Sequence, residues 1–381
     1  MRRLALFALL LAGTACSTQR SDPGTPAADA DGADERAALA AGSELVQPVN
    51  APELLSCEPM AGMTPYCGFK NPEDLVKIPG ADLLIVSEMG EFMADSPGAL
   101  SLLDLATGTR KTPRIFWTGE DASWGEAECP APDRAAFSPH GIDLTIRDDG
   151  AVALLVVNHG KRESVEFFEV APSGDLAWRG CARPPEDPFI NDVAARHDGG
   201  FYTTQMWNKS RSFEAIAADL LARKPSGWVW AWSPAGGFSR VPNTEDLMPN
   251  GIAISADNAT LFVNAYMGST TFAVDLDSGE RTGTLSVRQP DNVTVDDDGA
   301  LWIASHQHDP IGQACTQVTA GPCLLPFQVV TAAPDTLDSR VVVDHDGAPM
   351  GYSTVALRVD EHLYLGSAHG DRIVRIDLPQ D

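Results

Sequence analysis

The sequence predicts an all-β fold, a six-bladed β-propeller, on three observations. From residue 51 onward, short runs of Val, Ile, Leu, Phe and Trp alternate with turn signals. The 33 glycines and 28 prolines supply the turns that many short strands require. A polar pair followed at once by an apolar run recurs at six places. The first apolar positions after these junctions are Leu75, Ile142, Val193, Ile252, Val293 and Val355. They are spaced by about 40 to 70 residues, the length of one four-stranded blade with variable loops. A pair of β-sandwiches would leave the shared phase of the polar pairs unexplained.

Taken in order, the chain opens on an export signal. Met1, Arg2 and Arg3 form a charged start, residues 4–11 an apolar run, and Gly13-Thr14-Ala15 a small-residue cleavage site. Cys16 follows directly, which resembles a bacterial lipoprotein signal with Cys16 as the lipidated residue. Gly13 stands where such signals usually carry leucine, so ordinary cleavage after Ala15 is the alternative. Residues 1–15 are thus read as the signal, 16–50 as a disordered tether and 51–381 as the propeller. The tether is rich in Ala, Asp, Ser, Gly and Pro and cannot bury enough apolar surface to order itself. The expected location is the periplasm of a bacterium or its outer membrane through a lipid on Cys16. The only membrane contact expected is that anchor.

Within the propeller, residues 154–159 and 164–170 read as neighbouring strands, as do 261–265 and 271–276, and 363–367 with 373–376. Asp148-Asp149-Gly150, Asp198-Gly199, Asp257-Asn258 and Asp298-Gly299 read as hairpin turns between runs. Asp344-His345-Asp346-Gly347 is read the same way. Residues 213–223 are the one helix-permissive stretch, an expected insertion.

A net charge of −26 makes nucleic acid an unsuitable partner, because phosphate binding needs a basic surface. Six cysteines remain after Cys16, an even number in an exported chain, which points to disulfides. Loop length favours Cys57–Cys67 and Cys315–Cys323 as short bridges and Cys129–Cys181 as a longer one. No C-x2-C pair supports a zinc site.

Residues that precede the innermost strand of each blade converge at one mouth of the central channel. The converging set is Glu73, Asp74, His140, Asn191, Asp192, Asn250, Asp291, Asn292 and Ser353. Asn, Asp and Ser are also common loop residues that bond local backbone, the bland reading for any single junction. Carboxylates and amide carbonyls recurring in phase are hard oxygen donors that suit Ca2+ better than Zn2+ or Mg2+. The expectation is therefore a central calcium-binding channel. His306, ending a strand, reaches the same mouth by phase and is a candidate substrate contact.

Several segments carry a family resemblance. They are Glu73-Asp74-Leu75, Phe137-Ser138-Pro139-His140-Gly141-Ile142, residues 154–159 ending in Asn158-His159, residues 164–168, Asn191-Asp192-Val193, Asn250-Gly251-Ile252, Asp291-Asn292-Val293, Leu301-Trp302-Ile303 through His306, and Ser353-Thr354-Val355. In this order they resemble the serum paraoxonase/arylesterase family of calcium-dependent propeller lactonases, over roughly residues 70 to 380. The resemblance implies two calcium ions. Glu73, Asn191, Asn250, Asp291 and Asn292 would hold a catalytic ion. Asp74, Asp192 and the backbone carbonyl of Ile142 would hold a deeper structural one. His140 and His159 would form a catalytic histidine dyad acting on a small-molecule lactone or ester. The family's cysteine near the C-terminus has no counterpart here, and Ser305 stands where animal members carry a free cysteine. Two rival readings remain: a sugar-lactone hydrolase of the gluconolactonase-like group, and a non-catalytic calcium-stabilised binding propeller.

Overall fold

The computed structural model describes residues 52–91, 96–117, 124–310, 315, 318 and 320–379. The signal, the tether and Cys16 lie outside the described residues. Six sheets form the blades of a ring, as the sequence predicts, all antiparallel except that Ile115–Phe116 adds a short parallel edge to the second blade. The innermost strands are Pro72–Lys77, Pro139–Ile146, Pro188–Ala195, Pro249–Ile254, Pro290–Val295 and Ser353–Val359. Each begins at or beside one of the predicted junctions, and each packs against the innermost strands on either side of it around the axis.

Polarity follows distance from the axis. The second strand of blade two, Val152–Asn158, is buried almost throughout. The outermost strand of blade four, Arg281–Ser286, is largely exposed and reads Arg-Thr-Gly-Thr-Leu-Ser. Charged and polar residues on such an edge discourage pairing with another chain. The core is not one mass but six wedges, each between neighbouring blades. Leu154, Val156, Phe168 and Trp178 meet Ile85 and Leu102 between blades one and two. Leu363, Leu365 and Val374 meet Trp302 and Val329 between blades five and six. Each fully buried aliphatic or aromatic side chain contributes about 1.5–3 kcal/mol.

The ring closes with strands from both ends of the described chain. Met63–Cys67 pairs antiparallel with Arg372–Asp377 and completes the sixth blade. A disulfide joins Cys57, upstream of this strand, to Cys67 at its end. The buried Arg372 guanidinium donates to Leu54 O at 2.6 Å and Ser56 O at 2.9 Å, which fastens the segment leading into it. Cys129–Cys181 and Cys315–Cys323 also form, so all three expected pairs are present. Three disulfides suit an oxidising compartment and suggest an exported protein. Among the described residues no helix is long and apolar enough to cross a membrane.

The expected insertion is a helix, Phe213–Leu221, capped by Ser212, whose hydroxyl accepts from Ala215 N. Its Ile216 and Leu220 pack on Phe189, Met206 and Trp207. Asp296-Asp297-Asp298 turns a hairpin, with Asp296 accepting from Asp298 N and Ala300 N. Asp344 and His345 instead end the outermost strand of blade five, Ser339–His345. The segment expected as a hairpin there is the crossing to blade six, because the blade is already complete at four strands.

Candidate metal centre and active site

The mouth is built from a backbone irregularity repeated in every blade. The ladder between the first and second strands shifts register at Pro72/Asp74, Pro139/Ile142, Ile190/Val193, Pro249/Ile252, Pro290/Val293 and Ser353/Val355. A bulge bends its strand and re-aims side chains near the axis. Simple alternation along a strand would send Asn191 and Asp192 to opposite faces. The bulge breaks that alternation, and both side chains are buried at the axis. Glycine makes the close approach possible. A Cβ on Gly141 would stand 2.4 Å from Asp192 Oδ1, and one on Gly251 would stand 2.3 Å from Asp291 O.

Glu73, Asn191, Asn250, Asp291 and Asn292 are all buried here. Asn292 Nδ2 donates to Glu73 Oε1 at 2.9 Å. Asn191 Nδ2 lies 3.4 Å from His140 Nε2 and 3.4 Å from Met206 Sδ. His140 Nε2 is 3.7 Å from Glu73 Oε1. Among the described residues, four side-chain oxygens of this set have no hydrogen-bond partner: Glu73 Oε2, Asn191 Oδ1, Asn250 Oδ1 and Asn292 Oδ1. A buried acceptor without a donor costs about 1–3 kcal/mol. Four in one set, on four different blades, fit a shared cation site better than four unrelated unsatisfied groups.

Electrostatics agree. Burial holds the Glu73 carboxyl well above its usual range, and Asp74, Asp291 and Asp192 add to this against the Asn292 hydrogen bond. Burial pushes Asp291 to about 8, Asp74 contributing and Asn250 opposing. Asp74 is raised to about 7, chiefly by burial, and Asp192 well above its usual range by burial and then by Asp74. Among the described residues no lysine or arginine is paired with any of the four. A bound divalent cation would reverse the local balance. The chemistry is hard oxygen throughout: two carboxylates and three amides at the mouth. Among the described residues no three His, Cys, Asp or Glu side chains gather as a metal group, which leaves a site of mixed carboxylates and amides.

The deeper pair is arranged differently. Asp74 accepts from Leu75 N at 2.8 Å and Ile142 N at 2.7 Å. Asp192 accepts from Val193 N at 2.8 Å and Ile252 N at 2.9 Å. Each carboxylate thus ties its own blade to the next, and Ile142 meets Asp74 through its amide. Asp143 repeats the pattern with Leu144 N and Ala195 N, both at 2.7 Å, a third stitch that sequence reasoning missed. Here the fit to a cation rests on charge rather than on orphaned oxygens. The Ser353 hydroxyl donates to Val355 O at 3.1 Å. Thr354 instead donates to Glu73 O at 2.7 Å.

His140 and His159 come together, with Nδ1 of the first 2.7 Å from Nε2 of the second. Burial, then His159, keeps the His140 imidazole well below its usual range, so it is neutral at pH 7. His159 stacks on Phe189 at 4.6 Å. Opposite, His306 Nε2 lies 3.4 Å from Asp291 Oδ2 and its Nδ1 is 3.0 Å from the Tyr266 hydroxyl. Tyr352 stacks on His306 at 4.3 Å, and His308 sits 5.3 Å away, ring centre to ring centre. Tyr266 and His308 are not marked by the sequence, because neither occupies the repeated junction phase. His369, another rim histidine, is taken up by the Val318 carbonyl at 2.8 Å.

Comparison with known proteins follows from this geometry. A family profile described as Arylesterase matches residues 70–374. Serum paraoxonase/arylesterase 2 of Rattus norvegicus is 27% identical over 295 residues, 73% of this chain and 76% of the relative. Serum paraoxonase/arylesterase 1 of Homo sapiens is 26% identical over 273 residues, 68% of this chain and 71% of the relative. Among solved structures, a gluconolactonase from Xanthomonas campestris aligns with a TM-score of 0.48 at 16% identity, covering 83% of this chain and 89% of that one.

Proposed function

The chain belongs to the arylesterase family, and from that premise we propose that it is a calcium-dependent hydrolase of lactones and aryl esters. The observation that carries the proposal is the set of four orphaned oxygens on Glu73, Asn191, Asn250 and Asn292 beside the buried Asp291 carboxyl. In this reading those five residues hold a catalytic ion, and Asp74, Asp192 and the Ile142 carbonyl hold a structural one. Calcium bound at the mouth supplies Lewis-acid polarisation of an ester carbonyl and offsets charge on its oxygen.

The chain's own residues handle the proton. His140, neutral through burial, takes it from the attacking water at Nε2. His159, 2.7 Å behind, accepts the proton on the far side of the His140 ring. Phe189 and Trp207, stacked at 4.6 Å, close the space behind His159 against water. His306, held between Tyr266 and Tyr352, contacts substrate on the Asp291 side. The proposal extends to location: an exported bacterial protein, periplasmic or tethered to the outer membrane through a lipid on Cys16.

A hydrolysis panel tests the reading. Phenyl acetate and aliphatic lactones should be hydrolysed, activity should vanish after chelation, and calcium should restore it. Turnover of gluconolactone alone would favour a sugar-lactone hydrolase. No turnover, with calcium bound and the fold intact, would favour a binding propeller.

A further inference from the structure

The histidine pair does not end at His159. Its Nδ1 lies 2.8 Å from Glu163 Oε2, a buried carboxylate four residues along the chain. Glu163 is itself held from two other sides. Lys209 Nζ donates to Oε1 at 2.9 Å, and Ile190 N donates to Oε2 at 3.3 Å. Ile190 precedes Asn191, so the backbone that presents one mouth amide also anchors this carboxylate. The His159 ring is fixed in its plane by Phe189, which stacks on Trp207. Nothing in the repeat or in the family resemblance marks Glu163. It lies in the loop Gly160-Lys161-Arg162-Glu163 after the strand that ends at Asn158.

We infer that Glu163 is a positioning residue that fixes the tautomer of His159 and thereby the direction in which the His140–His159 pair moves a proton. An ionised carboxylate only accepts hydrogen bonds. Glu163 is kept ionised: burial alone would raise it, but His159 and Lys209 together bring it below its usual range. The hydrogen of neutral His159 therefore sits on Nδ1, and Nε2 is a bare acceptor. His140 must then donate from its own Nδ1, which leaves the lone pair on Nε2. That nitrogen is the one 3.4 Å from the Asn191 amide nitrogen and 3.7 Å from Glu73, on the side of the mouth. The Asn191 amide, a donor, is compatible with this tautomer and not with the opposite one.

The consequence is a proton path with one direction. When a proton binds His140 Nε2, the hydrogen on Nδ1 passes to His159 Nε2. His140 is again neutral, and His159 becomes an imidazolium with both nitrogens protonated, facing a carboxylate at 2.8 Å. Without the carboxylate, His159 would also populate the tautomer with hydrogen on Nε2. That form forces a hydrogen onto His140 Nε2 and removes the base. The arrangement has the logic of a carboxylate that orients an imidazole in a catalytic triad.

This inference rests on the proposed hydrolase reading, and its test separates the two. The full chain, loaded with calcium and labelled with 15N at its eight histidines, reports tautomers by NMR. His159 is expected with hydrogen on Nδ1. Glu163→Gln is expected to lower kcat about 10- to 100-fold, part of the roughly 100- to 10,000-fold worth of an acid–base group, with KM and calcium affinity unchanged. A wild-type His159 with hydrogen on Nε2 would overturn the inference whether or not the variant folds. So would Glu163→Gln with kcat within twofold of wild type, or a loss that merely tracks lost calcium. Should the wild type hydrolyse nothing, the hydrolase reading fails, and the tautomer still decides whether Glu163 orients His159.

Discussion

Asn292 has two duties that its two amide atoms keep apart. The nitrogen donates to Glu73 Oε1 at 2.9 Å, while the oxygen has no partner among the described residues. A cation at the mouth would give that oxygen its partner. Asn292→Ala removes a ligand and frees Glu73 to turn, so calcium affinity should fall at least tenfold, about 1.4 kcal/mol, read by calorimetric titration. His140→Gln removes the base and leaves the oxygen set in place. It should lower kcat on lactones by roughly 100- to 10,000-fold while calcium still binds, and the loss should be smaller on aryl esters with good leaving groups. If calcium binding falls with the rate, His140 is part of the metal site instead. The mouth residues were legible in the sequence because they share a repeat phase. Glu163, Tyr266 and His308 were not, because they reach the site from positions that no periodicity marks.

At the scale of elements, the bulge at the start of each innermost strand does the positioning. Polar side chains that a regular strand would spread over two faces are gathered at the axis. The neighbouring strands come close enough there that Gly141 and Gly251 admit no side chain without displacement. The atoms in the way are backbone, with Asn191 O 2.7 Å and Asp192 Cα 2.5 Å from a Cβ on Gly141. Gly141→Ala should therefore cost about 1–3 kcal/mol by overpacking, seen as a lower urea midpoint. It should also displace Asp192, weakening the stitch from Ile252 N. An unchanged midpoint would mean that the strands slide apart freely. The strand starts were readable from the proline and polar-pair junctions. The bulges were not, since they arise only when two strands of unequal count are paired. The end of blade five was misjudged for a similar reason: a turn-rich Asp-Gly segment looks the same whether it links strands or blades.

The whole molecule is a ring whose six wedges of core hold neighbouring blades together, and it is closed by one strand pairing, one disulfide and one buried arginine. Opening the Cys57–Cys67 bridge with paired serine substitutions should cost about 2–4 kcal/mol, detected as a lower Tm under non-reducing conditions. No change would mean that Arg372 and the strand pairing suffice. The ring was legible because polar pairs recur at one phase, whereas the clasp was not, because Arg372 acts on residues at the far end of the chain. The axis of this ring concentrates four buried carboxyl groups with no lysine or arginine partner among the described residues. A cation bound there would hold them ionised, and ligand binding stabilises by mass action. The decisive measurement is calcium titration of the chelated full chain, with binding, Tm and phenyl acetate hydrolysis followed in the same sample. Saturable binding that raises Tm and restores hydrolysis in step is the predicted result. Full hydrolysis by protein free of bound metal, or no binding to a folded chain, would contradict the account.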